Sequence, residues 1–156
     1  ISQVRAQGDS AILKLTQTFD HHSAASMADL NLPASRLKSA YDNLDDDLRS
    51  ALNLAAERII AFHERQRPEA MQWVDQAGVR LGLRQTPVDA AGLYVPGGKA
   101  SYPSSVLMNA LPAKVAGVER LVMVTPTPNG EANDLVLAAA HLAGINEVWT
   151  IGGAQA

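Results

Sequence analysis

The stretch Ala90-Ala91-Gly92-Leu93-Tyr94-Val95-Pro96-Gly97-Gly98 decides the fold. A compact apolar run over 90–95 breaks on a proline and two glycines, as a buried strand breaks into a turn. The same order recurs downstream. Residues 104–116 read as a helix, with Ser104 or Ser105 as its cap, and Pro112 inside it predicts a kink or a break. Residues 121–125 form a continuous apolar strand closed by Pro126 and Pro128. Residues 133–143 form a helix with Gly144 as C-cap, and residues 147–151 form a strand that runs into Gly152-Gly153. Strand, helix, strand, helix, strand with short connections implies right-handed βαβ units and a parallel sheet. The expected class is α/β.

Upstream of position 79 the pattern is helical. Residues 9–19 place Ile12, Leu15 and Phe19 at helical spacing, with Asp9 as cap. Residues 20–26 are polar and small, hence loop, and residues 27–32 read as a short strand stopped by Pro33. A helix over 34–43 carries Leu37 and Tyr41 on one face. The strongest helix spans 45–65: Leu48, Leu52, Ala55, Ile59 and Phe62 recur at steps of three and four, and Asp45, Asp46 and Asp47 sit at the positive end of its dipole. Residues 79–86 alternate, with Val79, Leu81 and Leu83 opposite Arg80 and Arg84, which suits a half-buried strand. The organisation expected is a mainly helical segment over 1–78 and an α/β module over 79–156.

Composition narrows the function. The chain has 156 residues, enough to bury a core without staples. A net charge of −3 makes it a poor phosphate-backbone binder, and 4% aromatic residues are too few for a base-stacking surface, so no nucleic-acid partner is expected. The absence of cysteine removes disulfides, thiolate metal sites and cysteine nucleophiles together. No apolar run approaches the ~20 residues of a membrane span, and no basic start followed by an apolar run marks a signal peptide. The chain begins at Ile1 and stops just after a strand, which reads as a piece of a longer protein cut at both ends.

The chemistry-bearing candidates gather after the strands. In an open parallel sheet, ligands collect beyond the carboxyl ends, where both glycine turns would lie. Glycine lets a ligand approach the backbone closely; the competing reading is a plain tight turn. No GxGxxG and no GxxxxGK[ST] is present. Tyr94 could stack on a planar ligand or bond a ribose or phosphate, against the plainer role of a strand-end tyrosine on the core. Lys99 could neutralise a phosphate, and Gln155 offers an amide beyond the second turn. His21 and His22 read as a solvated loop. His63 and His141 sit late in helices, where a cation suits the dipole. The histidine spacings offer no metal motif, and nothing forms a nucleophile–base–orienter set. The residues alone imply an α/β domain with a nucleotide-type ligand at the strand ends.

The segment from Gly92 through Ala100 closely resembles a signature of the histidinol dehydrogenase family. The likeness continues through Tyr102-Pro103-Ser104-Ser105-Val106-Leu107-Met108-Asn109-Ala110, Pro112-Ala113-Lys114-Val115-Ala116-Gly117-Val118 and Val122-Met123-Val124-Thr125-Pro126. It closes with Gly152-Gly153-Ala154-Gln155-Ala156, and upstream it takes in residues 4–9 and 59–66. It covers nearly the whole chain and is weakest over 21–50. The resemblance implies a helical arm followed by an incomplete Rossmann-like βαβαβ module, similar to that of the aldehyde dehydrogenase class. It implies a cytoplasmic, zinc-dependent homodimer that oxidises L-histidinol to L-histidine with two NAD+ in histidine biosynthesis. The family's NAD contacts fall on Tyr94, with Pro96 and Gly97 as backbone neighbours, and on Gln155. Its zinc ligands, its Glu-His acid–base pair and most of its substrate contacts fall beyond the last residue here. The resemblance therefore assigns this chain no catalytic and no metal-binding residue, and implies that it is inactive alone. Two other readings stay open: a non-catalytic association module, and a related NAD-dependent dehydrogenase of another amino alcohol.

Overall fold

A computed structural model describes residues 1–97 and 102–156. The sheet has four strands in the order β1-β6-β5-β4. Strands β4 (Ala90–Tyr94), β5 (Arg120–Val124) and β6 (Glu147–Trp149) are parallel. Helix α5 (Pro103–Ala116) joins β4 to β5, and α6 (Asp134–Leu142) joins β5 to β6. Both crossovers step in the same direction, so with right-handed connections the two helices lie side by side on one face. The α/β class and the parallel sheet expected from 90–151 are present.

Register explains which side chains face the helices. Leu93, Met123 and Val148 stand in one row across the three strands, and all three are buried. The next row, Tyr94, Val124 and Trp149, points to the opposite face, because successive strand residues alternate. Helix α6 is apolar nearly all round, with Val136 through Ala140 buried, as an inner helix must be. Asn133 caps it, its Oδ1 accepting from the amides of Leu135 and Val136. Helix α5 starts at Pro103 with Tyr102 at the cap position, so neither Ser104 nor Ser105 caps it. Pro112 neither breaks nor ends α5. The carbonyl it leaves unbonded is that of Met108, a half-exposed residue where water can take it.

The helical half builds a second layer and also enters the sheet. Helix α3 (Ala34–Asp42) packs on α6, and α4 (Asp46–Glu64) packs on α5. Leu37, Ala40, Leu52 and Ala56 join the same hydrophobic cluster as the sheet and inner helices. Asp45 caps α4 through the amide of Leu48. Arg49 donates to the carbonyls of Asp42 and Leu44 at 3.0 and 2.6 Å, fixing the corner between α3 and α4. Arg36 reaches Asp134 at the first turn of α6. His63 and His141 lie in the last turns of α4 and α6, the latter 5.4 Å from the Tyr41 ring.

Four further expectations need correction. Residues 27–32 hold one turn of tight helix, Met27–Leu30, and only a two-residue strand, β1 (Asn31–Leu32), antiparallel to β6. Asp29 bends that segment by accepting from the amides of Ala25 and Ser26. A short helix α1 (Ser2–Gln7) precedes α2 (Asp9–Asp20), and Gly8, not Asp9, stands at the α2 cap. Helix α2 also buries a face other than the apolar stripe: Ala11, Thr16 and Asp20 are buried, whereas Phe19 is exposed. Finally, the strand near 79–86 is half of a hairpin, β2 (Met71–Val74) with β3 (Arg80–Leu83), and its residues are exposed on both faces. Met71, Trp73, Leu81 and Leu83 share its apolar face, and among the described residues no other element covers them.

Candidate functional site

Three chain segments leave the sheet together at the carboxyl ends of β4, β5 and β6. Backbone ladders continue past the strands and hold them level. Val95 donates to the carbonyl of Val124 at 2.9 Å, and Thr125 donates to that of Trp149 at 3.0 Å. Thr150 ties the last segment to the residue just before β1, donating from both its amide and its hydroxyl to the carbonyl of Leu30.

The two glycine turns meet at Pro126. A β-carbon at Gly97 would overlap the Pro126 carbonyl, and one at Gly152 would overlap the Pro126 ring. Both glycines are thus required by the proline that closes β5. This accounts for them inside the protein, before any ligand is considered. From the sequence, Pro126 reads only as a strand end. The run Thr125-Pro126-Thr127-Pro128 directly after an apolar strand was the available signal.

Tyr94 joins the turns from above. Its hydroxyl accepts from the amide of Gly153 at 3.2 Å, across 59 positions of sequence. The residue remains nearly half exposed on the face of the sheet away from the helices, so its ring is not packed into the core. Gln155 lies in the short turn Gly153–Gln155 and is partly buried. Pro96 and Gly97 are exposed beside Tyr94. The structure therefore brings Tyr94, Gly97, Gly152 and Gly153 into one cluster, with Pro96 and Gln155 adjoining in the chain. Gly98 and Lys99 lie outside the described residues.

His22 departs from its sequence reading. It is not a solvated loop residue: it is partly buried, and its Nδ1 and the hydroxyl of Thr127 share a hydrogen bond at 3.2 Å. Asp20 lies near it, and burial pushes its carboxyl above the usual carboxylate range, opposed by the charges of His22 and His21. At the far end of the strands, Glu147 accepts from the Trp149 indole and from Arg120, which hold its carboxyl below the usual range.

An exposed aromatic ring, a side-chain amide and backbone donors at the strand ends suit a planar, polar cofactor with a sugar or phosphate. A metal is not provided for: among the described residues no group of three His, Asp or Glu side chains could hold one. The open groove on the hairpin is lined by residues 70–72 and 82–84 and shares nothing with the strand ends.

The family model described as histidinol dehydrogenase matches residues 1–156. A histidinol dehydrogenase of Aromatoleum aromaticum is 59% identical over 153 residues, covering 98% of this chain and 35% of the relative. One from Acinetobacter baylyi is 57% identical over the full 156 residues, which are 36% of its length. The chain thus spans about a third of the curated relatives it matches. A crystal structure of histidinol dehydrogenase from Elizabethkingia anophelis superposes with a TM-score of 0.90 at 29% identity, over 99% of this chain and 35% of that one.

Proposed function

The chain belongs to the histidinol dehydrogenase family, and from that premise we propose that it forms the NAD-contacting part of an enzyme oxidising L-histidinol to L-histidine in histidine biosynthesis. In this reading residues 79–156 are the cofactor-contacting module and residues 1–78 the helical segment that backs it. The enzyme is a cytoplasmic homodimer, and a second copy would give the apolar face of the β2–β3 hairpin a cover.

The observation that carries the reading is the hydrogen bond from Gly153 to the Tyr94 hydroxyl. It joins the segments in which the family resemblance places the NAD contacts, Tyr94 with Pro96 and Gly97 on one side and Gln155 on the other. Bound NAD+ would supply the hydride acceptor. The chain's own residues supply its seat. Tyr94 presents a ring on the open face of the sheet, already oriented through its hydroxyl. Gln155 offers an amide, and Pro96 and Gly97 line the seat with backbone. Holding the cofactor in one orientation lowers the entropy cost of the later transfer. Zinc does not fit the described residues, so its ligands belong to other parts of the enzyme. The named relatives are all histidinol dehydrogenases, which favours that substrate over another amino alcohol.

The test is an NAD+ titration followed by backbone amide NMR, with Tyr94→Ala alongside. Shifts should cluster at Tyr94, Gly97 and 152–155 and be lost in the variant. No shift at millimolar NAD+ would overturn the reading.

A further inference from the structure

Pro126 is the floor on which both glycine turns rest, yet its own ring makes no hydrogen bond that would fix it. The next residue does. Thr127 is 1% exposed, and its hydroxyl shares a hydrogen bond with Nδ1 of His22, 105 positions earlier in the chain. His22 arrives there because His21 takes a left-handed conformation, φ 52°, at the end of α2 and turns the chain inward. Its ring then lies against Gly130, where a β-carbon would come within 3.3 Å of Cδ2. The face that α2 buries carries Ala11, Thr16 and Asp20, while Ile12 and Leu15 are partly buried and Phe19 is exposed. The helix packs on the turn Pro128–Gly130.

We propose that His22 is a positioning residue for the strand-end site. By holding Thr127 it fixes Pro126, and through Pro126 it sets the spacing of the Gly97 and Gly152 turns that flank Tyr94. His22 touches neither turn, and its effect on a ligand is indirect. The ligand half of this inference rests on the NAD reading above; the geometric half does not.

The experiment compares the wild-type chain with His22→Ala, His22→Asn, Thr127→Val and the His22→Ala/Thr127→Val double variant. Two quantities are read: amide shifts of Gly97, Gly152 and Gly153 in the free protein, and NAD+ affinity. Thr127→Val keeps the buried volume close to that of threonine, and thermal melting checks that each variant folds. His22→Ala and Thr127→Val should each move the three glycine amides and weaken NAD+ by about 3-fold, and by no more than about 10-fold, the upper limit set by one hydrogen bond. The double variant should be no worse than either single one, because both break the same bond. His22→Asn, whose amide can reproduce a bond at the Nδ1 position, should restore much of the loss. If melting falls while the glycine amides stay in place, His22 is only structural and the proposal is overturned. If the glycine amides move in the variants but even the wild type ignores NAD+, the positioning role stands and the cofactor reading falls.

Discussion

Asp20 is the residue whose environment costs the fold most plainly. Its Oδ2 is buried and has no hydrogen-bond partner among the described residues. Desolvation raises its pKa, so the folded chain holds the proton more tightly than the unfolded chain does. Below the unfolded pKa both states are protonated and no penalty exists. As pH rises from there to the raised folded value, the unfolded chain releases its proton first and stability falls; above that value the penalty is complete. Asp20→Asn should therefore melt higher than wild type at neutral pH, with the difference shrinking as pH falls through the acid range. A difference that stays constant with pH would show that ionisation of Asp20 is not its source. The neighbouring Thr16 hydroxyl is also unpartnered and buried. No apolar periodicity could have pointed to either residue, because their burial is decided by the turn they face.

At the scale of elements, periodicity predicts an element's existence better than the face it buries. Helix α4 begins and ends within a residue of its expected limits, and Leu52 is buried on its inner side, yet Phe62 on the same predicted stripe is 61% exposed. The β2–β3 hairpin is the extreme case. Its alternation is real, and Met71 and Leu83 or Trp73 and Leu81 stand opposite each other. Among the described residues no element covers it, and a lone two-stranded sheet is marginal in water. In the 156-residue chain by itself, its amides should exchange with solvent faster than those of β5 by roughly a hundredfold or more. Equal protection in the two sheets, measured by hydrogen exchange with NMR or mass spectrometry, would mean that the hairpin is covered in solution. Strand β1 is the opposite failure. The strand expected over 27–32 shrinks to its last two residues, whose pairing with Val148 and Trp149 comes from the sheet edge that receives them.

For the whole molecule, the division seen in the sequence near position 78 is not a division of the core. One hydrophobic cluster draws Leu37, Ala40, Leu52 and Ala56 from the first half and Leu93, Leu107, Met123, Leu137 and Val148 from the second. The two glycine turns sit on that shared core, and the alcohol oxidation proposed for the enzyme needs more than a cofactor seat. A base must take the hydroxyl proton, or a metal must polarise the oxygen. The described residues at the strand ends present neither. With zinc, NAD+ and L-histidinol, the 156-residue chain should produce no NADH above blank, while a full-length relative under the same conditions does. NADH formation by the chain alone would refute the assignment of all catalytic residues elsewhere.

Local signals determined the βαβαβ order, the parallel sheet and the placing of both glycine turns beyond the strands. These follow from runs of apolar residues, helix periodicity, and proline and glycine stops, all of which act over a few neighbouring positions. The family likeness was also legible, because it rests on contiguous blocks such as Gly92 through Gly97. Only the tertiary structure decided that Pro126 is what the two glycines accommodate, that Tyr94 bonds Gly153, and that His22 reaches Thr127. Each of these joins residues brought together by tertiary packing, 26 or more positions apart in the chain. The physical reason is one of range: turn and helix propensities are set by the adjoining backbone, whereas contacts between strand ends are set by how the helices pack the sheet.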